Sequence, residues 1–470
     1  MTILDIIVRG GRVVDPANGR DEVTDLGIRD GAIVEIGAIH GTAQAEIDAT
    51  NRLVLPGLID SHVHLTGSGS GKVAHAALAR AGVTTALDLA GPIDDVLENA
   101  AANGAGLTIA ALDFIGPNRR ISTADPSRTE IREAVDRALR DGALGIKLHF
   151  DSPVTPSAAA FTIEEANAAG AYIAVHCGTT ETASDMTGLR ETVAMAGSNR
   201  LHIAHVNSYC RGASGDATAE AIEAVALLQS VPQCFSEAYL SAFNGNSGEC
   251  VDGRPRVKRV EIWLASGGYP GTQAGLRQAI ADGYAIVPAS INGELLALSG
   301  SDAVAHWESQ GTKTGIGFPV NPPGSRVHLA TEKDAMGRFA VDAIATDGGK
   351  IPRNNQLYAG LGLVQLDTLL LNEFVAKTSW IPARVLGLTG KGQLGLGADA
   401  DLIVVDSIAR KTTATIAAGH AIVRDGVVSG SGSRVLTTGA GMTAVRASGN
   451  QAIEIDLAQS GFYTGDGLKA

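Results

Sequence analysis

Two histidines stand two residues apart in the segment LPGLIDSHVH, which begins at Leu55. The apolar run before them predicts a strand, and residues two apart in a strand point to the same side. His62 and His64 therefore project together, and Asp60 shares their face as a candidate to orient a ligand histidine. Two neutral imidazoles placed in this way can bind one divalent cation. Histidines at this spacing also occur by chance, so further candidate ligands elsewhere in the chain are needed to support a metal site.

Three further residues stand at or near the ends of later strand-like segments. Lys147 lies in the segment GIKLH, His176 ends a second segment and His205 ends a third. Intervals of 29 residues separate Lys147 from His176 and His176 from His205, which is about one βα unit each. A buried lysine is costly unless it is paired or chemically altered. The pattern predicts that consecutive strands deliver one lysine and two histidines to the same edge of a sheet.

Asp347 ends a late strand-like segment and is followed by two glycines in the sequence AIATDGG. A carboxylate in this position suits a general base beside a metal-bound water. An aspartate at such a place is also common as a turn or helix-cap residue. Because four histidines stand at comparable strand ends, we interpret Asp347 as a general base beside a metal-bound water.

The elements that must position these residues alternate between strand-like and helical patterns. Ser127 with Glu130, and Thr162 with Glu165, show the capping-box spacing that begins a helix, and each pair is followed by a strand-like run. Repeated βα units predict an α/β fold with a parallel sheet. We predict a (β/α)8 barrel over residues 54–389, with its active site at the carboxyl ends of the strands.

Both ends of the chain carry short strand-like segments separated by glycine-rich turns. Neither 1–53 nor 390–437 has enough strands for a core of its own, so we predict one composite β-sandwich domain built from both. Residues 241–335 break the βα rhythm and are interpreted as an insertion near the barrel mouth, either connecting structure or a lid over the substrate. Residues 438–470 show no clear pattern and form a C-terminal tail.

Composition excludes several classes of protein. The 470 residues are 45% hydrophobic and 19% charged, which supports a large core and excludes a disordered or fibrous chain. A net charge of −13 gives no basic footprint, so no nucleic-acid partner is expected. The four cysteines form no CxxC pair, and no signal peptide or long apolar span is apparent. We expect a cytoplasmic homo-oligomer with no membrane partner.

With these features in place, the sequence resembles the amidohydrolase superfamily, which includes hydantoinases, dihydroorotases and ureases. The resemblance covers nearly the whole chain, through the segments IVRGGRVVD, PGLIDSHVH, AGVTT, PARVLGL and GADADLIVVD. It implies a (β/α)8 barrel with a small β-sandwich and a binuclear divalent metal centre bridged by a carbamylated lysine. Carried over to this chain, the resemblance implies that one ion is held by His62, His64 and Asp347, the other by His176 and His205, and that Lys147 bridges them as its CO2-derived carbamate.

The resemblance also implies the reaction, which is hydrolysis of a non-peptide C–N bond in a small-molecule amide. Metal-activated hydroxide would attack the carbonyl, with Asp347 as general base. Lys147 is similar to the hydantoinase and dihydroorotase pattern, whose members open cyclic amides. The segment GALG before it, and the 142 residues from His205 to Asp347, look like N-acyl-D-amino-acid deacylases. Both substrate classes stay open, and so does the metal, which is zinc first, then Mn, Co or Fe. A non-catalytic scaffold is the remote alternative, disfavoured because all six ligands are present.

Five polar residues are candidates for contacts with the substrate. His149 shares the face of Lys147 and either supports a ligand or touches the substrate. Tyr209 and Arg211 follow His205 in the loop at the active end, where the planar fork of Arg211 suits either a substrate carboxylate or a surface ion pair. Ser290 and Asn292 stand near another predicted strand end.

Overall fold

The N-terminal segment contributes five strands to one sheet. The structure, a computed structural model, describes residues 3–66, 69–89 and 91–466. Among these residues, none of the helices has the length and apolar character needed to cross a membrane. The first of these five strands pairs antiparallel with the second strand and parallel with the fourth and fifth strands. The five strands are β1 (Leu4–Asp15), β2 (Arg20–Arg29), β3 (Ala32–Gly37), β4 (Ala43–Asp48) and β5 (Leu53–Pro56).

Strands and helices then alternate, as the capping and periodicity predicted. The strands are β6 (Leu58–His64), β7 (Val83–Asp88), β8 (Ala105–Pro117), β9 (Arg120–Ile121), β10 (Gly145–Leu148), β11 (Tyr172–Val175), β12 (His202–Ile203) and β13 (Phe235–Tyr239). The helices are α1 (Ala74–Arg80), α2 (Ile93–Asn103), α3 (Arg128–Arg140), α4 (Pro156–Ala168), α5 (Met186–Ala196) and α6 (Ala217–Gln229).

The two predicted capping boxes had different outcomes. Ser127 precedes α3, and its hydroxyl accepts a hydrogen bond from the backbone N–H of Glu130 at 3.2 Å, as predicted for a helix start. The predicted start at Thr162 is wrong, because α4 begins six residues earlier, at Pro156, with Thr155 as its cap. Thr162 lies inside α4 and donates to the carbonyl of Ala158 at 2.7 Å. Proline at the first helical position fixes the start, since it needs no N–H partner there.

The insertion is a packed unit with an apolar core of its own. Trp263, Leu264, Leu276, Trp307 and Phe318 are buried together in it. Its strands are β14 (Asn244–Ser247), β15 (Cys250–Val251), β16 (Arg254–Pro255), β17 (Val287–Ile291), β18 (Glu294–Leu298) and β19 (Gly315–Phe318). Its helices, together with the one that leads back to the barrel, are α7 (Lys258–Ser266), α8 (Gln273–Ala281), α9 (Gly300–Ser309) and α10 (Pro323–Thr331).

The barrel closes where the chain returns from the insertion, through β20 (Ala343–Ala345) and β21 (Gly348–Gly349). Strands β6, β7, β8, β10, β11, β12, β13 and β20 pair in parallel in this order, and β21 pairs back onto β6. Gly349 has φ +74°, and a Cβ there would lie 2.3 Å from the carbonyl oxygen of His64, so this seam requires glycine. Eight parallel strands with outer helices confirm the predicted (β/α)8 barrel.

The chain then crosses back to the N-terminal sheet. Strand β22 pairs antiparallel with β5, so strands from both ends of the chain form one nine-stranded sheet. Apolar side chains from both ends, among them Val8, Leu26, Val404 and Ile416, share its core. The elements are α11 (Gln356–Gln365), α12 (Leu371–Val375), a π-helical turn (Ala376–Trp380), α13 (Ile381–Val385), β22 (Leu402–Asp406), β23 (Lys411–Ala417), β24 (His420–Arg424) and β25 (Val427–Val428).

The last segment extends the barrel sheet on the outside. β26 (Gly432–Thr437) pairs in parallel with β8, and β27 (Gln451–Glu454) pairs with β26. Residues 432–437, which the sequence grouped with the small domain, therefore hydrogen-bond to a barrel strand. The helices are α14 (Met442–Ala447) and α15 (Gly461–Thr464), and the ring of Phe462 in α15 stacks on Tyr172 of β11 with centroids 4.1 Å apart.

Candidate metal centre

The carboxyl ends of the barrel strands bring the six predicted ligand residues to one place. All of them except His64 are buried, and His64 is partly exposed. This is the end of the barrel where the strand-to-helix loops build active sites. His62 and His64 end β6, Lys147 lies on β10, His176 follows β11, His205 follows β12, and Asp347 lies between β20 and β21.

Three histidines surround the carboxylate of Asp347. Its Oδ1 lies 2.8 Å from Nε2 of His64 and 3.4 Å from Nε2 of His62. The rings of His62 and His205 are stacked with centroids 5.0 Å apart. One possible ligand atom from each of His62, His205 and Asp347 falls within 4.8 Å of the others. At this spacing the three residues could bind one shared divalent cation.

His176 lies on the other side of His205, with ring centroids 4.3 Å apart. Its Nδ1 lies 3.2 Å from Nε2 of His149, and its Nε2 lies 2.7 Å from the hydroxyl of Ser184. His149 therefore joins the group that contains the predicted ligands, on the same side of the barrel as Lys147. Ser184, in the loop before α5, has no sequence feature that distinguishes it from other loop serines.

Burial keeps these imidazoles neutral. It lowers the pKa of His62 to about 4 and that of His149 to about 3, and it holds the pKa values of His176 and His205 well below the usual range. Neutral imidazole is the form that binds metal ions. The group can therefore offer nitrogen lone pairs across the neutral pH range.

Glu237, on β13, is a buried member of the site that the sequence did not reveal. Its Oε1 lies 2.6 Å from Nδ1 of His62 and accepts a hydrogen bond from the backbone N–H of His205 at 2.7 Å. Burial opposes its charge, but His62 and His202 outweigh burial and lower the pKa of Glu237 to about 2. An ionised carboxylate only accepts hydrogen bonds, so Nδ1 of His62 carries the proton and Nε2 faces Asp347.

Lys147 is fully buried, and its Nζ has no hydrogen-bond partner among the described residues. Burial lowers the pKa of Lys147 to about 8, although the charges of Glu237 and Asp347 oppose the shift. A buried ammonium without a partner is unfavourable. The position therefore favours the neutral amine or a chemically modified lysine.

Asp347 is fixed by Arg353, which the sequence also did not reveal. Arg353 bonds to Oδ2 of Asp347, and its Nε donates to the backbone carbonyl of Asp347 at 2.6 Å. Burial opposes ionisation, but Arg353, His62 and His64 hold the pKa of Asp347 well below its usual range. Asp347 also has φ +51°, a costly backbone conformation that often marks a functional site.

Asp60 ties the first barrel strand to the last. Its oxygens accept hydrogen bonds from the backbone N–H of Thr346 at 3.1 Å, from the Thr346 hydroxyl at 2.5 Å and from the N–H of His62 at 3.3 Å. Burial raises the pKa of Asp60 to about 7. Asp60 therefore positions the backbone around His62 and Asp347 rather than a histidine ring.

Two of the predicted substrate contacts, Tyr209 and Arg211, stand beside the histidines. The ring of Tyr209 lies 5.7 Å from that of His205, but its hydroxyl is engaged by backbone, donating to Ala204 at 2.8 Å and accepting from Cys177 at 2.9 Å. Arg211 is half-buried and hydrogen-bonded to neutral oxygen atoms.

The other two predicted contacts, Ser290 and Asn292, lie on an antiparallel hairpin of the insertion, not at the end of a barrel strand. Both are exposed, and neither has a hydrogen bond to the histidine group among the described residues. They stand near a strand end, as predicted, because this strand ends at Ile291, but it pairs with its own hairpin partner in the described chain.

Comparison with known proteins gives the family. The sequence profile described as "Amidohydrolase family" matches residues 53–198 and 320–431, together more than half of the chain. The chain belongs to the amidohydrolase family. The matched ranges contain every predicted ligand except His205, and they leave out most of the insertion.

Two relatives match this amidohydrolase over most of its length. An N-acyl-D-glutamate deacylase of Alcaligenes xylosoxydans xylosoxydans is 25% identical over 446 residues, covering 86% of this chain and 88% of the relative. A dihydroorotase of Anaeromyxobacter dehalogenans is 27% identical over 442 residues, covering 87% and 89%. Both names denote hydrolases of C–N bonds other than peptide bonds, the enzyme class predicted from the sequence. By contrast, a dihydroorotase of Pelotomaculum thermopropionicum is 49% identical over 67 residues, only 14% of this chain and 16% of that protein.

Solved structures confirm the fold. The N-acyl-D-glutamate deacylase of Bordetella bronchiseptica superposes with a TM-score of 0.65 at 15% identity, covering 92% of this chain and 99% of that one. A D-hydantoinase gives a TM-score of 0.62 at 16% identity, covering 92% and 98%. These identities are too low to transfer a substrate.

Proposed function

We propose that this amidohydrolase hydrolyses a non-peptide C–N amide bond, in a ring or in an N-acyl group, with two divalent ions at the histidine group. The observation that carries the proposal is the convergence of His62, His205 and Asp347 within 4.8 Å. A buried lysine without a hydrogen-bond partner lies in the same barrel end. These groups come from strand ends that are far apart in the sequence. Their convergence argues for a functional site rather than a chance cluster of polar residues.

The donor set fits divalent cations. Neutral imidazoles and an ionised carboxylate are ligands for zinc, manganese, cobalt or iron. His62, His64 and Asp347 would hold one ion, and His176 and His205 the other. When bound, such ions polarise a substrate carbonyl and lower the pKa of a bound water. The Bordetella deacylase was solved with zinc, so zinc is the first ion to test.

Lys147 is proposed as the bridge between the two ions. With a pKa of about 8, a fraction of its amine is neutral at pH 7, and the neutral amine is the form that adds CO2. The resulting carbamate is an anion with two oxygen donors. Through these oxygens the Lys147 side chain would bind both ions, which a single Nζ atom could not do.

Asp347 is the group of this chain that moves the proton. Arg353 bonds to Oδ2 and to the backbone carbonyl, which leaves Oδ1, between His62 and His64, as the acceptor. Asp347 accepts a proton from the attacking water and returns it to the leaving nitrogen. Because Arg353 favours the ionised carboxylate, Asp347 holds the proton only briefly.

Cyclic and linear amides both remain candidates. The two long matches are named for one substrate of each kind, and their identities to this chain are close. Lys147 favours the ring-opening group, because the deacylase-like group usually lacks a lysine at this place. The predicted metal ligands therefore do not decide between cyclic and linear amides, and the rest of the pocket must determine the substrate.

The test is a screen of cyclic amides and N-acyl-D-amino acids with protein of measured zinc content. Ring opening yields one product molecule, whereas deacylation yields two, so mass spectrometry separates them. We expect turnover of one class that scales with about two ions per chain. Full metal loading without hydrolysis of any amide in either class would contradict the proposal.

A further inference from the structure

Two arginines at the barrel mouth have no carboxylate partner among the described residues. Arg259 lies on α7 of the insertion, and Arg211 lies in the loop that follows His205. Both are half-buried. A half-buried guanidinium without an acid partner keeps N–H donors and a positive charge that a ligand can use.

Arg259 stands one aromatic ring away from the histidine group. Its guanidinium carbon lies 4.7 Å from the centroid of the Phe150 ring, and that ring stacks on His176 at 6.1 Å with an interplanar angle of 25°. The guanidinium makes no hydrogen bond or ion pair with any residue that the structure describes. Its N–H groups are therefore available to a ligand between the insertion and the barrel.

Arg211 is held in place by neutral oxygens. Its Nε donates to Asn321 Oδ1 at 2.9 Å, and one Nη donates to the hydroxyls of Ser208 at 3.0 Å and Tyr239 at 3.1 Å. These bonds fix the plane of the guanidinium without neutralising its charge. The side chain is thus preorganised for an anion.

The two charges act on each other and on the histidines. Burial lowers the pKa of Arg259, Asp151 opposes this shift, and Arg211 lowers the pKa further. Asp151 has a side chain that is 67% exposed, and its Oδ2 lies 3.7 Å from Nδ1 of His149, a ring that burial keeps neutral. A carboxylate that reaches both guanidinium groups would offset this repulsion and accept hydrogen bonds from Arg259 and from the Nη of Arg211 that has no partner among the described residues.

We propose that Arg211 and Arg259 together bind a carboxylate of the substrate. This inference rests on the proposed function and narrows it to amides that carry a carboxylate beside the bond to be cleaved. The guanidinium fork matches the geometry of a carboxylate, with two parallel N–H donors for two oxygens. Because one arginine comes from the insertion and the other from the barrel, the bound carboxylate links the two units.

The test compares matched compounds with and without the carboxylate. Dihydroorotate is paired with dihydrouracil, and N-acetyl-D-alanine with N-acetyl-D-alaninamide. KM is measured for wild type, Arg259→Met and Arg211→Met, each loaded with zinc. Arg256→Met is the control, because Arg256 lies three residues from Arg259 and pairs with Glu249 on the surface. Calorimetric binding to zinc-loaded Asp347→Asn protein, with and without Arg259→Met, gives a readout that needs no turnover.

Wild type should prefer the carboxylate member of at least one pair. Arg259→Met should reduce that preference by about 10- to 100-fold, the range for a lost hydrogen bond to a charged group. Arg259→Lys, which keeps charge but not the fork, should fall between, and it replaces the methionine variant if that variant misfolds. Arg256→Met should leave the preference unchanged.

The two proposals fail in different ways. Carboxylate-selective binding that depends on Arg259, without hydrolysis of either pair, supports the anion site and rejects the proposed reaction. Hydrolysis with a carboxylate preference that survives both Arg259→Met and Arg211→Met overturns the anion site and keeps the reaction. Binding with no preference for carboxylate in either pair also overturns the anion site.

Discussion

The centre of the barrel is buried and polar, whereas the insertion is buried and apolar. The centre packs Asp60, Lys147 and Glu237 without exposure to water, and each of these groups has a shifted pKa. The insertion instead closes around Trp263 and Trp307 and contributes Arg259 toward the centre. Buried charges cost stability and persist where chemistry needs them, while an apolar core maintains a shape. We infer that the barrel provides the reaction and the insertion provides part of the selectivity.

The largest effect on the barrel centre is expected from Lys147→Ala. If Lys147 bridges two ions as its carbamate, the variant should lose at least one ion per chain and nearly all turnover. Elemental analysis and amide hydrolysis measure both quantities, and a short carboxylic acid added with zinc should restore part of the activity. Lys258→Ala, at an exposed lysine of the insertion, is the control. Unchanged metal content in Lys147→Ala would rule out the bridge.

Asp347→Asn should separate proton transfer from metal binding. The amide keeps one donor oxygen but is no longer basic, so kcat should fall about 100-fold or more while metal content falls modestly. Turnover is compared at equal zinc content, with Asp252→Asn in an exposed turn as the control. Near wild-type kcat with full metal would assign the base elsewhere, and His149, 3.2 Å from His176, would be tested next.

Glu237→Gln should weaken the centre without removing a ligand. Glutamine can donate a hydrogen bond to Nδ1 of His62, which would permit the wrong tautomer, so metal affinity should fall about 10- to 100-fold. Competition with a zinc chelator measures the affinity. Glu133→Gln, at an exposed position on α3, should leave it unchanged. Equal affinities in the two variants would show that Glu237 does not orient His62.

Trp307→Ala should have the smallest effect on the metal centre. Its ring is fully buried, and its Nε1 donates to the carbonyl of Gly248 at 2.9 Å, so the loss should cost the insertion about 3–5 kcal/mol. Hydrogen exchange should rise across α7–α9, while zinc content stays at the wild-type level. Ile262→Ala, at an exposed position on α7, should change neither. Loss of zinc in Trp307→Ala would show that the two units are not separable.

The placement of the predicted ligands could be read from the sequence because they stand at or near the ends of strands that the sequence marks by local pattern. His62, Lys147 and His176 each follow or lie in short apolar runs, and parallel strands bring such ends together. The barrel itself followed from the same repetition. Local pattern was therefore enough to bring these three residues to one end of the barrel.

Glu237 and Arg353 could not be found in this way, because their roles depend on approach in space. Glu237 lies 175 residues from the histidine that it orients, and Arg353 follows a turn whose path is set by barrel closure. A glutamate inside the predicted strand at 233–240 was the available signal for the first. Ser290 does lie near a strand end, as predicted, but the five-residue pattern could not show that this strand belongs to a hairpin of the insertion.

The position of Asp347 links catalytic activity to closure of the barrel. The N–H of Asp347 donates to the carbonyl of His62 at 2.8 Å, and the next two residues pair with β6, so the proposed base sits on the join between the first strand and the last. During synthesis, all four predicted histidine ligands leave the ribosome well before this residue. On the proposed mechanism, hydrolysis therefore requires the closed ring, and turnover would report that folding of the barrel is complete.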